Sequence, residues 1–402
     1  MKALVAAVAS LAACGALAAD EDADFAATKG SAAEAQLKAR LKASVRTIPG
    51  TDTQYFIGGY LQLDGLATRH RQDGDEQDVF LVSATPFGPA DRNYRAGIRA
   101  SQLNWVSKST TSIGEVWTRL EANLFPLDGT TYPTLNQLYV RFGEALSIGK
   151  TYSTFVDEDV LPTTLDYNGP SGVTFARQKL VRLSLPVAEG WTLAASVVDS
   201  QADLDASGAR LAFRTDARRP DLAARVRFEG DFGHVQLAGL SRSIGVALDG
   251  PTGRRERRVN GKGVSLSGSI NVGDDTITGQ AATGEGVGRY FNDPLSATGV
   301  ASGSGLQLDL LRTTGATVYY QHHWAPDWTT ITGASTLRIP DNGLARGPEE
   351  LRRLVYASAN LAHRVTPTLI VGAEVLWGEA TRVNGATASN TRLQITVRYL
   401  IF

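Results

Sequence analysis

The chain has 402 residues, enough for one large domain or two ordinary ones. Its 40 Lys and Arg residues nearly balance its 41 Asp and Glu residues, so the composition lacks the basic excess that favours a nucleic-acid partner. The single cysteine, Cys14, lies in an apparent leader, and a mature chain without thiols excludes disulfide frameworks, cysteine-ligated metals and cysteine nucleophiles. A mean hydropathy of −0.13 also excludes several long apolar helices that would cross a membrane.

Residues 1–19 have the pattern of a secretory signal peptide. Lys2 supplies a positive charge, an almost wholly apolar stretch follows, and small residues precede a cleavage point after Ala19. We therefore predict export from the cytoplasm. A membrane anchor is one alternative, for which the apolar stretch is short. Lipidation of Cys14 is another, because the residues before it resemble a lipobox.

Residues 20–50 begin with an acidic segment and continue as a predicted short periplasmic helix. Ser31 and Glu34 have the spacing of a capping box, and good helix formers follow them. Leu37 and Leu41 keep approximately the spacing of a coiled-coil seam. A helix this short is not stable alone. The segment fits either a frayed amphipathic tail or a short coiled coil formed by several copies of the chain.

From Tyr55 to Phe402 the sequence consists of short segments in which apolar and polar residues alternate. In the segment 115–124, for example, Val, Thr, Leu, Ala and Leu alternate with Glu, Trp, Arg, Glu and Asn. Alternation with a period of two predicts strands with one apolar and one polar face. Seven short connections alternate with eight long ones, near residues 69–94, 126–133, 153–172, 200–220, 245–261, 283–312, 340–350 and 381–390.

This pattern predicts an all-β fold, a transmembrane antiparallel β-barrel of about 16 strands over residues 51–402. A soluble propeller or sandwich is the alternative, but neither requires short and long connections to alternate. The many charges on the polar faces would need partners in a packed core, whereas a water-filled lumen accepts them. The segment 306–310 fits either a long loop or a further strand.

Two groups of motifs point to a family. The first comprises IPGTDT at 48–53, IGGY at 57–60 and LD at 63–64, and the second comprises IGKTYSTF at 148–155 and LPTTLDYNGPSG at 161–172. They resemble the DcaP-like porins, trimeric outer-membrane channels associated with dicarboxylates and related organic anions. The resemblance implies a homotrimer in which the loop 153–172 folds into the lumen and constricts it.

The candidate pore residues are mostly basic. On strands with clear alternation the polar face carries more arginine than acid, which favours anions. We predict that the pore lining and anion-binding residues are Arg119, Arg141, Lys150, Arg177, Arg182, Arg225, Arg227 and Arg398. The acids of the constriction loop, Asp157, Glu158, Asp159 and Asp166, are expected to face this wall and to create a transverse field. Alternatively, the arginines pair with nearby glutamates, and the loop acids make local turn and cap bonds.

Other motifs carry little chemistry. The sequence has no G-x-S-x-G or HExxH motif, and the consecutive acids at 157–159 lack the alternating positions of a calcium loop. We therefore predict no catalytic residue, metal site or cofactor, and a barrel hydrolase with a Ser–His pair is the enzyme alternative. The basic run 254–258 is predicted in an extracellular loop. The predicted interfacial girdle comprises Trp117, Trp191, Trp328 and Trp377 with Tyr55, Tyr320 and Tyr399.

Together these patterns predict a porin rather than an enzyme, in the outer membrane of a Gram-negative bacterium. It would let small hydrophilic solutes diffuse passively and would favour anions such as dicarboxylates. The alternative is a non-selective general diffusion porin. The expected partners are small anionic solutes, outer-membrane lipids, lipopolysaccharide and two further copies of the chain, without nucleic acid.

Overall fold

The computed structural model describes residues 40–72, 78–89, 91–124, 132–200, 204–205, 214–216, 219–250, 253–293, 299–302, 307–340 and 346–401. The predicted signal peptide, most of the segment 20–50 and the terminal Phe402 lie outside these residues. Of the predicted N-terminal helix the structure describes the end, at residues 40–44, where Leu41 is buried. No helix among the described residues is long and apolar enough to span a membrane.

Most of the described chain forms a closed antiparallel barrel, and the prediction of sixteen strands is confirmed. The strands are β1 (Thr53–Thr68), β2 (Asn93–Gly97 and Gln102–Thr111), β3 (Gly114–Asn123), β4 (Thr134–Phe142), β5 (Leu146–Tyr152), β6 (Arg177–Ala188), β7 (Trp191–Val198), β8 (Asp221–Gly230), β9 (Gly233–Gly250), β10 (Gly253–Val272), β11 (Asp275–Glu285), β12 (Arg312–Ala325), β13 (Trp328–Arg338), β14 (Leu351–Thr366), β15 (Leu369–Arg382) and β16 (Thr387–Ile401). Consecutive strands pair, and β16 closes the barrel on β1, where Leu63 lies opposite Val397.

The two ends of the barrel differ as expected. Seven connections of two or three residues lie at one end, for example 112–113 and 143–145. At the other end two of the predicted long loops are largely strand. The segment 245–261 belongs to β9 and β10, which run to Gly250 and from Gly253, and most of 381–390 belongs to β15 and β16. The ambiguous segment forms a short strand, Gln307–Leu310, in a separate three-stranded sheet with Gly299–Ser302 and Leu204–Asp205.

The alternating sequence places apolar side chains outside the barrel and polar side chains inside. On β16, Leu393, Ile395 and Val397 are exposed, while the intervening Gln394 and Thr396 are buried. An apolar outer face and a polar inner face are what a barrel in lipid requires, since lipid solvates the outside and water or polar groups solvate the inside.

Three loops fold into the barrel and share one apolar cluster. They are the 153–176 loop between β5 and β6, called here the inward loop, and the segments 78–89 and 286–293. Their buried side chains pack against the inner faces of β9 and β11–β15 and against Ala223 of β8. The loop members of the cluster are Phe80, Val82, Phe155, Val156, Val287, Tyr290 and Phe291. The sequence predicted an inward position for the first loop but not for the other two. Together they fill part of the interior and leave the inner faces of β3–β8 as the opposite wall.

Candidate pore lining

The inward loop is fixed at its start by Asp157. This carboxylate is fully buried, and its Oδ2 lies 2.8 Å from His234 Nε2 and accepts a hydrogen bond from Ser267 Oγ at 2.6 Å. Arg227 Nη1 lies 3.1 Å from Oδ1. Burial alone raises the pKa of Asp157, but the hydrogen bond and charge of His234, the hydrogen bond from Ser267 and the charge of Arg227 outweigh it and hold the pKa below its ordinary value. Asp157 is therefore an ionised anchor between the loop and β8–β10.

The middle of the inward loop is fixed to the far side of the barrel. The carbonyl oxygen of Leu165 accepts hydrogen bonds from Gln62 on β1 (3.2 Å) and Gln394 on β16 (3.0 Å). The backbone N–H of Asp166 donates to Glu374 on β15 at 2.8 Å. The Asp166 carboxylate accepts from the backbone N–H of Phe80 in the neighbouring inward segment at 2.8 Å. Burial raises the pKa of Asp166, with the charge of Arg392 opposing it.

The returning part of the loop crosses the interior again. Tyr167 Oη accepts hydrogen bonds from Asn123 on β3 and Asn136 on β4. Further along, the backbone N–H of Thr174 donates to Gln280 on β11 at 2.6 Å. These contacts tie one loop to both sides of the barrel, so its position divides the interior.

A row of basic side chains lines the inner faces of β3–β8. Cross-strand pairing places Arg141 and Arg182 on either side of Ser147, while Arg225 lies further along the same wall on β8. Among the residues that the structure describes, Arg141, Arg182 and Arg225 form no ion pair. In contrast, Arg119 and Arg177 both pair with the buried Glu121, at 3.0 and 3.2 Å. Three predicted lining arginines therefore make no direct ion pair with a carboxylate of the described chain.

Two acids of the inward loop, Glu158 and Asp159, lie beside this wall. Glu158 is exposed to the interior, and its electrostatic neighbours include Arg182, Arg225 and Arg119. Asp159 is 54% exposed and pairs with Arg227 at 2.6 Å. Of the four loop acids predicted to face the wall, Glu158 and Asp159 lie near its arginines, whereas Asp166 lies near Arg392 on the opposite side of the barrel. Arg227 is itself neutralised by the acids that it contacts.

Two predicted lining residues lie elsewhere. Lys150 shares its face of β5 with the exposed Ile148, so it points outward, and its Nζ donates to the carbonyl oxygen of Leu135 at 2.6 Å. The prediction assigned Lys150 to the wrong face of β5, because Gly149 has no side chain and leaves the alternation of the strand ambiguous. Arg398 points inward but is buried, with Nε donating to Gln62 at 2.8 Å and its guanidinium 4.4 Å from the Tyr60 ring.

Sequence reasoning missed part of the lining. Trp117, predicted in the outer girdle, is buried on the inner face between Lys108 and Arg141, whose charged groups lie 4.9 and 5.3 Å from its ring. Its place in the alternation of β3, in phase with Glu115 and Arg119, was the available signal. The basic run 254–258 lies on the projecting start of β10, with Arg254 paired to Glu256 at 2.6 Å.

One group of side chains has the composition of a metal site. Ligand atoms of Asp157, Asp159 and His234 lie within 4.8 Å of one another. However, the Arg227 guanidinium already contacts both carboxylates, at 3.1 and 2.6 Å. An added cation would meet this fixed positive charge at the same oxygens, so the donor set fits an ion-pair anchor rather than a resident metal.

Comparisons with known proteins agree with this geometry. The sequence matches the family described as the porin subfamily over residues 47–397, whereas no curated protein matches it. The outer-membrane channel DcaP of Acinetobacter baumannii is similar with a TM-score of 0.74 at 15% identity, over 87% of this chain and 97% of that one. OmpT of Vibrio cholerae is similar with a TM-score of 0.54 at 11% identity, over 88% and 100%. An anion-selective porin from Comamonas acidovorans is similar with a TM-score of 0.55 at 9% identity, over 87% of this chain and 99% of that one. The chain therefore belongs to the porin subfamily, and it is an outer-membrane β-barrel.

Proposed function

We propose that the chain forms a passive, trimeric channel that favours small organic anions, dicarboxylates among them. The observation that carries this proposal is the inner row of Arg141, Arg182 and Arg225, which form no ion pair within the described chain. In a barrel of sixteen strands the lumen is wide enough for water. Arginines facing that water attract anions and can bind carboxylates through two parallel hydrogen bonds.

The spacing of the row suits a solute with two carboxylates. Arg141 and Arg182 lie on alternate strands with Ser147 between them, and Glu158 interacts with the wall from the loop. A dicarboxylate would contact two guanidiniums in turn while the loop acids limit how strongly it is held. A passive channel needs such weak, repeated binding, because a tightly bound solute would not leave.

The trimeric state rests on the likeness to other porins. A structure of OmpT of Vibrio cholerae in a trimer form has a TM-score of 0.52 to this chain at 13% identity. In a planar bilayer, a trimer should change its conductance in three equal steps, one for each pore, and this measurement tests the assembly directly.

Two other functions compete with this proposal. A general diffusion porin is expected if Glu158 screens the row from passing ions. A barrel hydrolase is favoured by one contact chain, in which Ser269 Oγ lies 2.8 Å from His234 Nδ1 and His234 Nε2 lies 2.8 Å from Asp157. The backbone around Ser269 is paired with both β9 and β11, so its N–H groups are committed to the sheet rather than free to stabilise an oxyanion. Ester hydrolysis lost in Ser269→Ala would favour the hydrolase over the channel.

The test is the reversal potential in a planar bilayer under a KCl gradient, followed by addition of succinate and phthalate. We expect anion selectivity and partial block by both acids. In the double variant Arg182→Gln/Arg225→Gln the anion preference should fall several-fold in dilute salt, since each charge is worth about 1 kcal/mol at 4 Å in water. The fall should shrink in concentrated salt, where screening shortens to about 3 Å.

A matched control removes two charges outside the pore. Arg338→Gln/Arg353→Gln changes the same net charge on the outer face of β13 and β14, where both side chains are exposed. It should leave the reversal potential near that of the parent protein. Cation selectivity of the parent, or equal shifts in both double variants, would overturn the assignment of the inner row and favour the general diffusion porin.

A further inference from the structure

Tyr139 lies on the inner face of β4, within the basic wall. The neighbouring Leu138 is 49% exposed on the outer face, so the alternation of the strand turns Tyr139 inward, in phase with Arg141. Arg119 on β3 lies directly opposite Tyr139 on one side, and Gly149 on β5 lies opposite it on the other. Because glycine has no side chain, β5 contributes none to the wall at the level of Tyr139.

The hydroxyl group of Tyr139 is not used by the described chain. It forms no hydrogen bond with a described residue, and because the side chain is only half-buried, solvent reaches its oxygen. Other tyrosines inside the barrel differ. Tyr152 Oη accepts a hydrogen bond from Arg177 at 2.8 Å, and Tyr319 Oη lies 3.1 Å from Ser358 Oγ. Tyr139 therefore offers a donor to whatever lies beside it in the lumen.

The charges around this hydroxyl are mostly positive. Its electrostatic neighbours include Arg119, Arg141 and Arg182 on the wall and Glu158 on the inward loop. Arg119 pairs with Glu121, whereas Arg141 and Arg182 form no ion pair with a described residue. Glu158 is also an electrostatic neighbour of Arg182. The hydroxyl and the Arg182 guanidinium thus border the same part of the lumen.

A phenol donor distinguishes between anions in a way that charge alone does not. The field of several guanidiniums attracts any anion, chloride included. A hydroxyl donates in one direction, and its hydrogen bond to an ionised oxygen is short and strong. A carboxylate has two oxygens, so one can accept from a guanidinium while the other accepts from the hydroxyl. Such a donor adds recognition of carboxylates without adding charge.

We propose that Tyr139 is a specificity-determining residue, whose hydroxyl donates a hydrogen bond to a solute carboxylate held by Arg182. The inference rests on the proposed function as a channel for organic anions. In this arrangement the arginines set the sign of the ions that enter, and Tyr139 favours carboxylates among them. Glu158 is the competing acceptor on the loop, and the experiment below separates the two roles.

The test compares Tyr139→Phe with the parent channel in a planar bilayer. The substitution keeps the ring and the net charge, so the reversal potential in a KCl gradient should not change. The succinate concentration that halves the KCl current should rise about tenfold, the lower end expected for a hydrogen bond to a charged group. Tyr399→Phe is the matched control, because it removes a hydroxyl from a side chain that is 51% exposed on the outer face. It should match the parent in both measurements.

A double variant tests whether the two residues hold one carboxylate. Groups that share a partner do not act additively. When Tyr139→Phe is added to Arg182→Gln, the half-blocking concentration should therefore rise by only about twofold beyond that of Arg182→Gln alone. A full tenfold rise in both backgrounds would overturn the shared site.

The remaining outcomes separate this inference from the proposed function. Undiminished succinate block in Tyr139→Phe would overturn the assignment of Tyr139 and leave the anion channel intact. A changed conductance of Tyr139→Phe in KCl alone would also overturn it, since the hydroxyl would then position the loop through Glu158. A parent channel that succinate does not block would contradict the proposed function itself, and the role of Tyr139 would fail with it.

Discussion

Replacement of Asp157 by asparagine tests how the inward loop is held. The substitution preserves the shape of the side chain and removes its charge. Asparagine can accept a hydrogen bond through one oxygen, but its amide nitrogen must then face a donor. In the parent protein the carboxylate is surrounded by His234, Ser267 and Arg227, at 2.8, 2.6 and 3.1 Å. At least one of these contacts becomes unfavourable in Asp157→Asn.

The cost follows from the burial of the site. Breaking a buried ion pair by removing one partner costs about 3–5 kcal/mol. Arg227 keeps two other carboxylates, Asp159 at 2.6 Å and Glu229 at 3.3 Å. We therefore expect a cost at the lower end of this range, about 3 kcal/mol. The substitution should reduce the free energy that holds the start of the loop against the barrel by this amount. The barrel strands themselves should be little affected.

The pH dependence has a definite sign. The pKa of Asp157 lies below its ordinary value of 3.8, so its ionised form is favoured in the folded protein. Its stabilising contribution is complete above pH values near 3.8 and is lost as the pH falls through the lower folded value. The difference between the parent and Asp157→Asn should therefore shrink as the pH falls below the ordinary carboxyl value of 3.8.

Hydrogen exchange of peptides covering residues 153–160 measures the opening of this segment. A loss of about 3 kcal/mol corresponds to exchange faster by about a hundredfold. The control is Asp159→Asn, which removes an equal charge from a half-exposed side chain with one partner. It should cost less than about 1 kcal/mol, or a few-fold in rate. Exchange in Asp157→Asn no faster than in Asp159→Asn would refute the anchoring role.

Two further predictions concern stability, both measured as the temperature at which the folded barrel is lost on heating in detergent. Arg242→Gln should reduce the free energy of unfolding by about 3–5 kcal/mol, because Arg242 and Asp221 form a fully buried ion pair at 2.8 Å. The temperature at which the barrel is lost should therefore fall strongly. Gly149→Ala should also destabilise, since Gly149 has φ +140° and an added Cβ would lie 2.3 Å from the carbonyl oxygen of Leu138. Gly239→Ala is the control with nothing within 4 Å, and a melting temperature as low as that of Gly149→Ala would contradict the steric argument.

The strand pattern could be predicted because it depends on local sequence. Side chains alternate between two faces in any strand. The order of Leu393, Gln394 and Ile395 therefore predicts which side of the barrel each faces, without information about neighbouring strands. The same rule failed at Lys150, where the preceding glycine carries no side chain to mark the phase. It was also misapplied to Trp117, where residue type suggested a girdle and the alternation indicated the inner face.

The predicted basic wall shows the limits of counting charges. Arg141, Arg182, Arg225 and Arg227 were predicted alike, yet only Arg227 is paired with loop acids. Which arginine meets a carboxylate depends on where the inward loop lies, and contacts such as Asp157 with His234 join residues 77 positions apart in the chain. No sequence spacing specifies such a contact.

The sequence by itself determined the membrane barrel, because the number, phase and spacing of the strands follow from a repeating local pattern and its turns. The family motifs indicated the inward loop, but the inward positions of 78–89 and 286–293 came only from the tertiary structure, where Phe80, Tyr290 and Phe291 bury apolar surface against strands distant in the chain. Cross-strand register likewise decided that Arg338 faces Arg353. Local alternation sets which way a side chain points, whereas long-range packing sets what it meets.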